Sequence, residues 1–118
     1  VVRALARSND ALLVGADNGM FEAAPTISKI ALDNHKPFFA ADSSSVKAGA
    51  AAGVTIDYKQ VGLEGGKLAV RVLSGERAGS IPVTLMTNGV IELNRSTIKK
   101  LGLPFGEDVW KKSKTVYE

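Results

Sequence analysis

Ala11-Leu12-Leu13-Val14-Gly15-Ala16 ends on Asp17-Asn18, and Pro37-Phe38-Phe39-Ala40-Ala41 ends on Asp42-Ser43. Each run is short and apolar and is bounded by turn-forming residues, the pattern of a buried strand. A helix-like stretch follows each of them. Strands alternating with helices predict an α/β fold, a mostly parallel sheet flanked by helices. Right-handed crossovers then put the carboxyl ends of the parallel strands on one edge. Neighbouring strands lie about 4.8 Å apart, so the two polar turns can reach one small ligand. That edge is where open α/β sheets place ligand groups.

Working outward, the spacing of Phe21, Ala24, Ile27, Ile30 and Ala31 predicts a helix over residues 20–34, between strands at 10–16 and 37–41. Pro37 is acceptable as the first residue of a strand. Ser43-Ser44-Ser45 can cap a helix over 44–52, with Gly53 just past its end. Residues 54–58 are expected as a strand and 60–74 as a helix whose first half is weakened by Gly62, Gly65 and Gly66. These glycines lack the G-x-G-x-x-G order of a phosphate cradle. Asn88-Gly89 predicts a hairpin-type turn between strands at 81–86 and 90–93. A last helix at 96–101 is closed by Gly102, and 107–116 is a short tail segment that contains Trp110. The opening Val1–Arg7 is expected to be the last turns of a helix feeding the first strand. The chain is therefore expected to be a piece of a longer one, with any export signal outside it.

The composition excludes several classes. A hydrophobic share of 45% and a charged share of 23% over 118 residues are those of a folded domain with a core. No apolar stretch approaches the roughly 20 residues of a membrane span. The net charge of +3 is mild, with much of the excess in Lys111, Lys112 and Lys114. A nucleic-acid partner would call for a denser basic stripe with interleaved aromatics, so these lysines are expected to be a solvated tail and no nucleic acid is expected. Without cysteine there are no disulfides, thiolate metal sites or cysteine nucleophiles.

Asp17 and Asp42 could bind an ammonium group, hold a cation or do acid/base work. A metal site is not expected: His35 lies in a turn on the opposite edge, and two carboxylates are too few oxygen ligands for a hard cation. The aspartyl-nucleophile pattern fails because Gly19 occupies the second acidic position. A serine hydrolase would need a G-x-S-x-G turn with a histidine nearby. Recognition of a small zwitterion fits better. Asp17 or Asp42 would accept from an ammonium group, Asn18 and the hydroxyls and amides of Ser43, Ser44 and Ser45 would orient polar atoms, and the helix amino terminus after Ser43 would favour a carboxylate. The same residues are good helix caps, and their spacing alone leaves capping and ligand recognition open.

The ordered run of motifs adds to this. Asp10-Ala11-Leu12-Leu13-Val14-Gly15-Ala16-Asp17-Asn18 is followed by Lys36-Pro37-Phe38-Phe39-Ala40-Ala41-Asp42. Val46-Lys47-Ala48-Gly49-Ala50-Ala51-Ala52-Gly53-Val54-Thr55-Ile56-Asp57-Tyr58 comes next. Gly62, Val72-Leu73-Ser74-Gly75-Glu76, Ile81-Pro82-Val83, Leu93-Asn94 and Leu101-Gly102-Leu103-Pro104 complete the series. Together these resemble the carboxyl-terminal portion of the substrate-binding proteins of bacterial ABC transporters, in the tryptophan/tyrosine-type branch.

The resemblance implies a type I periplasmic-binding-protein-like fold with flavodoxin-like lobes, of which this chain would be part. Residues 1–53 would lie mainly in the carboxyl-terminal lobe, 54–80 would be a crossover segment and helix, and 81–118 would return to the lobe and tail. It implies a small amino-acid-like ligand, a permease partner, no cofactor, no enzymatic activity, and a periplasmic or lipid-anchored extracytoplasmic location. Asp17, Asn18, Asp42, Ser43, Ser44 and Tyr58 would face the ligand, with Gln60 a weaker candidate. An exposed inter-lobe surface makes a homodimer of this piece a further expectation. The alternative is a free-standing flavodoxin-like sensor or a phosphate- or nucleotide-binding domain. Two carboxylates at the edge would repel its phosphate.

Overall fold

The computed structural model describes residues 1–118. Six helices, α1 (Val2–Ser8), α2 (Asn18–Asp33), α3 (Ser43–Lys47), α4 (Tyr58–Leu73), α5 (Arg95–Leu101) and α6 (Glu107–Lys112), interleave with five strands. These are β1 (Leu12–Val14), β2 (Phe38–Ala40), β3 (Ala52–Thr55), β4 (Val90–Asn94) and β5 (Thr115–Tyr117). The chain divides into two units, one of residues 1–55 with 90–118 and one of residues 56–89.

The first unit holds the whole sheet, in the order β1-β2-β3-β4-β5. β1, β2 and β3 are parallel, β4 runs antiparallel to β3, and β5 is parallel to β4. The expected α/β class with a mostly parallel sheet is what the structure has. Because β1, β2 and β3 step in one direction, right-handed crossovers put α2 and α3 on the same face. There Ala6, Leu12, Ile27, Ala31, Phe38, Ala40, Val46 and Ala50 form one core. Ala51, Leu93 and Ile98 form a second core, packed with Phe39, Phe105, Val109 and Trp110. The two-residue period of a strand explains the division, since Phe38 and Ala40 join the first core and Phe39 the second. Leu13 and Val54 stay exposed beside Phe39, and an open apolar groove of about 420 Å³ runs over β1–β3.

Local chemistry sets the helix ends. After α2, His35 takes a left-handed conformation (φ 53°), His35 N donates to Leu32 O and Lys36 N to Ala31 O. This closes the last turn in a Schellman motif, with histidine where glycine is usual. Gly102 (φ 60°) closes α5 in the left-handed region, as its position in the sequence predicts. Asn94 joins three elements: its Oδ1 accepts from Thr97 N to cap α5, and its Nδ2 donates to Val46 O at 3.0 Å.

Several expectations are corrected. The helix expected over 44–52 stops at Lys47. Gly49 (φ 121°) turns the chain where a Cβ would collide with Ser28 Oγ. Ala51 N then donates to Phe38 O at 2.7 Å, drawing the chain into the sheet. Gly53 therefore lies within β3 rather than beyond a helix. The strand expected at 54–58 is shifted to 52–55, and Tyr58 opens α4. The strand expected at 81–86 does not form, because both edges of its intended partner β4 are taken, by β3 and β5. The tail at 107–116 resolves into α6 and, beyond it, β5. Lys111, Lys112 and Lys114 are exposed, as expected.

In the second unit, Asp57 caps α4 by accepting from Lys59 N and Gln60 N. Gly75 (φ 98°) closes the helix: Gly75 N donates to Val72 O and Glu76 N to Arg71 O. Arg71 grips Glu76 in a two-pronged ion pair across this turn. No residue of α4 is buried, and Leu68, Val72, Ile81 and Pro82 line a shallow groove. No helix of the chain is long and apolar enough to cross a membrane.

Candidate functional site

β1 and β2 are neighbours in parallel register, with Val14 beside Ala40, and Ala41 N donates to Val14 O at 3.2 Å. The fold therefore brings the turns after both strands to one edge of the first unit. The same edge carries the point where the chain leaves the sheet at Thr55 and the point where it returns at Val90, its partner in register.

Asp17 is the N-cap of α2, its Oδ1 accepting from Met20 N at 3.2 Å, and Asn18 is the first helical residue. Both are exposed. Asp42 is the N-cap of α3 and is only 8% exposed. Its Oδ1 accepts from Ser45 N at 2.8 Å and from the Ser44 hydroxyl. Its other oxygen, Oδ2, and Ser45 Oγ are both buried without a well-formed hydrogen bond, while the Ser45 hydroxyl lies near enough to the carboxylate to help hold its charge. Burial pushes the Asp42 carboxyl pKa up, but the hydroxyl and amide donors of Ser44 and Ser45 together outweigh it and hold the pKa below its ordinary value. Asp42 is thus an ionised, nearly enclosed carboxylate with one oxygen, Oδ2, that makes no well-formed hydrogen bond.

Ser43 donates its hydroxyl to Glu92 Oε1 at 3.0 Å, and the Tyr117 hydroxyl donates to Glu92 Oε2 at 3.1 Å. Glu92, in β4, is 7% exposed. Burial first, and then the charge and hydrogen bond of Glu92, raise the Tyr117 pKa. Sequence reasoning missed both residues. The one signal available was an acidic residue inside the apolar run Val90–Leu93. Among the expected contacts, Asp17, Asn18, Asp42, Ser43 and Ser44 share this edge. Tyr58 is the first residue of α4 in the second unit, 74% exposed, three residues beyond the point where the chain leaves the sheet. Gln60 lies in the same helix, its side chain donating to Glu64 Oε1.

The ion pairs of the chain involve none of Asp17, Asp42 and Glu92. No group of three or more His, Asp or Glu side chains converges to hold a metal ion. The arrangement gathers carboxylate acceptors, Asp17, Asp42 and Glu92, with the serine hydroxyls that donate to two of them.

Comparison with known proteins bears on the family. A family profile described as ABC transporter substrate binding protein matches residues 1–117. A tyrosine-binding protein of Clostridioides difficile is 39% identical over 94 residues, 80% of this chain and 27% of that protein. A Streptococcus pneumoniae ABC domain solved in complex with L-Trp superimposes with a TM-score of 0.84 at 29% identity, over 98% of this chain and 39% of its own. The ligand-free, open structure of a Clostridium difficile substrate-binding protein with adhesive properties gives 0.81 at 32% identity, over the same shares. A conserved domain protein of Vibrio cholerae gives 0.82 at 25% identity. The chain thus spans about a quarter of the curated relative and 39% of each solved chain. With the profile covering nearly every residue, this chain belongs to the ABC transporter substrate-binding protein family.

Proposed function

We propose that this chain is part of the solute-binding component of an ABC importer whose ligand is an aromatic amino acid. The observation that carries the reading is Asp42 Oδ2, a buried carboxylate oxygen that makes no well-formed hydrogen bond, at the sheet edge where ligands bind in such folds. An unsatisfied buried carboxylate is costly, and a ligand ammonium removes that cost. Asp17, Asn18, Ser43 and Ser44 share the edge and supply further polar contacts. The ligand class rests on relatives described as tyrosine-binding and as complexed with L-Trp.

In the full-length protein the ligand would sit in a cleft between two lobes, and the closed form would be presented to a membrane permease outside the cytoplasm. Ligand drives closure only through its greater affinity for the closed state. No covalent chemistry is required of the site.

Isothermal titration calorimetry of the full-length protein tests the class of ligand. Heat of binding is expected with L-tryptophan or L-tyrosine and none with inorganic phosphate or AMP. Binding of phosphate or AMP in preference to either amino acid would favour the flavodoxin-like sensor instead.

A further inference from the structure

Glu92 is a buried carboxylate whose two oxygens are each taken by a hydroxyl from a distant part of the chain. Ser43 lies 49 positions away in the turn after β2, and Tyr117 lies 25 positions away in β5. Packing does not require an acid there. Its neighbour in register is Gly53, and that side of the sheet is otherwise filled by Ala40, Val46 and Ala50. Burying a carboxylate is costly before its partners compensate, and here the two hydroxyls supply that compensation.

The carboxylate does something to Ser43 that an apolar residue could not. A hydroxyl has one proton and two lone pairs. With the Ser43 proton directed at Glu92, its oxygen presents lone pairs, and the Tyr117 hydroxyl, also within hydrogen-bonding reach of Ser43, completes the cluster. Ser43 is the next residue after Asp42, whose Oδ2 is likewise an acceptor, without a well-formed hydrogen bond.

We infer that Glu92 is a positioning residue that locks Ser43 as a hydrogen-bond acceptor beside Asp42, so that this turn meets the hydrogen-donating, ammonium end of the ligand. Tyr117 tethers the other Glu92 oxygen to the last strand and keeps the carboxylate in place. The inference rests on the amino-acid reading above and extends it, since it assigns the orientation of the ligand's polar end to residues that do not themselves touch it.

The test is a double-mutant cycle on the full-length protein, with L-tryptophan and L-tyrosine as probes. Glu92→Gln leaves one acceptor oxygen for the two hydroxyls, and Glu92→Leu leaves none, so the Ser43 proton is freed in part by the first and wholly by the second. Affinity is expected to fall about tenfold in Glu92→Leu. Ser43→Ala should cost a similar factor, and the double variant should bind no worse than Ser43→Ala alone, because Glu92 acts through Ser43. Independent losses that multiply in the double variant would overturn the inference, as would wild-type affinity in Glu92→Leu, which leaves Ser43 no acceptor at this position.

A ligand-free arm keeps the two readings separable. Ser45 N donates to Asp42 Oδ1 at 2.8 Å, so its amide hydrogen exchange reports the order of this turn. Exchange at Ser45 should speed up in Glu92→Gln while the sheet amide of Ala51 is unchanged. Tyr117→Phe, which keeps the Ser43–Glu92 bond, should give a smaller effect of the same kind. If neither amino acid binds the wild type, the functional reading fails and exchange alone decides the positioning role. Unchanged Ser45 exchange would then overturn it.

Discussion

Replacing Asp42 by Asn is expected to leave the fold nearly as stable as the wild type while reducing amino-acid affinity about 100-fold. The figure follows from removing one partner of an enclosed charge-assisted bond, worth about 2–5 kcal/mol. Asn keeps an oxygen that can accept from Ser45 N, so the cap of α3 survives. Asp42→Ala removes both roles. It should lose the affinity and about 1 kcal/mol of stability as well. Calorimetry and denaturant unfolding on the same three proteins separate capping from ligand recognition, the two readings that the sequence leaves open. If Asn at this position binds as tightly as Asp, the residue is a cap and nothing more.

The same residue sets a pH dependence. The Asp42 pKa is held below its usual value of 3.8 in the folded chain. A group depressed in this way adds stability above the unfolded value and loses it as pH falls through the folded one. Wild type should therefore be the more stable of the two near neutrality, and its advantage over Asp42→Asn should vanish in the acid range below the ordinary carboxylate value.

The second large effect belongs to Gly53. A Cβ at this position would lie 2.6 Å from Ala40 O and 2.7 Å from Val46 Cγ2. The first contact is with the backbone of the neighbouring strand, so no rotamer change relieves it. Gly53→Ala must push β2 and β3 apart or shift α3, and is expected to cost about 3 kcal/mol, at the upper end for overpacked cores. Because β2 leads directly into Asp42, affinity should fall with it. Denaturant unfolding would show a lower midpoint at an unchanged slope. A loss below about 0.5 kcal/mol, the level of an ordinary surface change, would contradict the close approach of the two strands.

Gly53 also shows where the sequence was legible and where it was not. The strands at Leu12–Val14 and Phe38–Ala40, and the caps Asp17 and Asp42, follow from local signals: apolar runs, turn residues and side-chain oxygens ahead of helices. Asp17 and Asp42 share an edge because the crossover rule is general. Gly53 looked like a helix stop because glycine does that work in most contexts. Its real reason is a contact with Ala40 and Val46, which no local pattern contains. The strand expected at 81–86 failed for a similar reason. Its partner edge was already paired with Thr115–Tyr117, a segment that follows it by almost thirty residues.

The candidate site divides in the same way. Asp42 was visible as an acid at a strand end, but its burial and its oxygen without a well-formed hydrogen bond were not. Glu92 and Tyr117 were missed because their role exists only once β4 and β5 lie beside the turn after β2. Tyr58 was expected on a strand near the ligand and instead opens an exposed helix, since Asp57 ahead of it caps that helix by taking two backbone N–H groups. The family resemblance, by contrast, depended on the order of motifs along the chain, which is a property of the sequence itself.

The most direct measurement is a crystal structure of the full-length protein grown with L-tryptophan or L-tyrosine. The ligand's ammonium nitrogen is expected within hydrogen-bond distance of Asp42 Oδ2, with the turns at Asp17-Asn18 and Asp42-Ser43 on the same side of it. A bound amino acid that leaves Asp42 Oδ2 unpartnered, or whose carboxylate faces this turn, would contradict this placement.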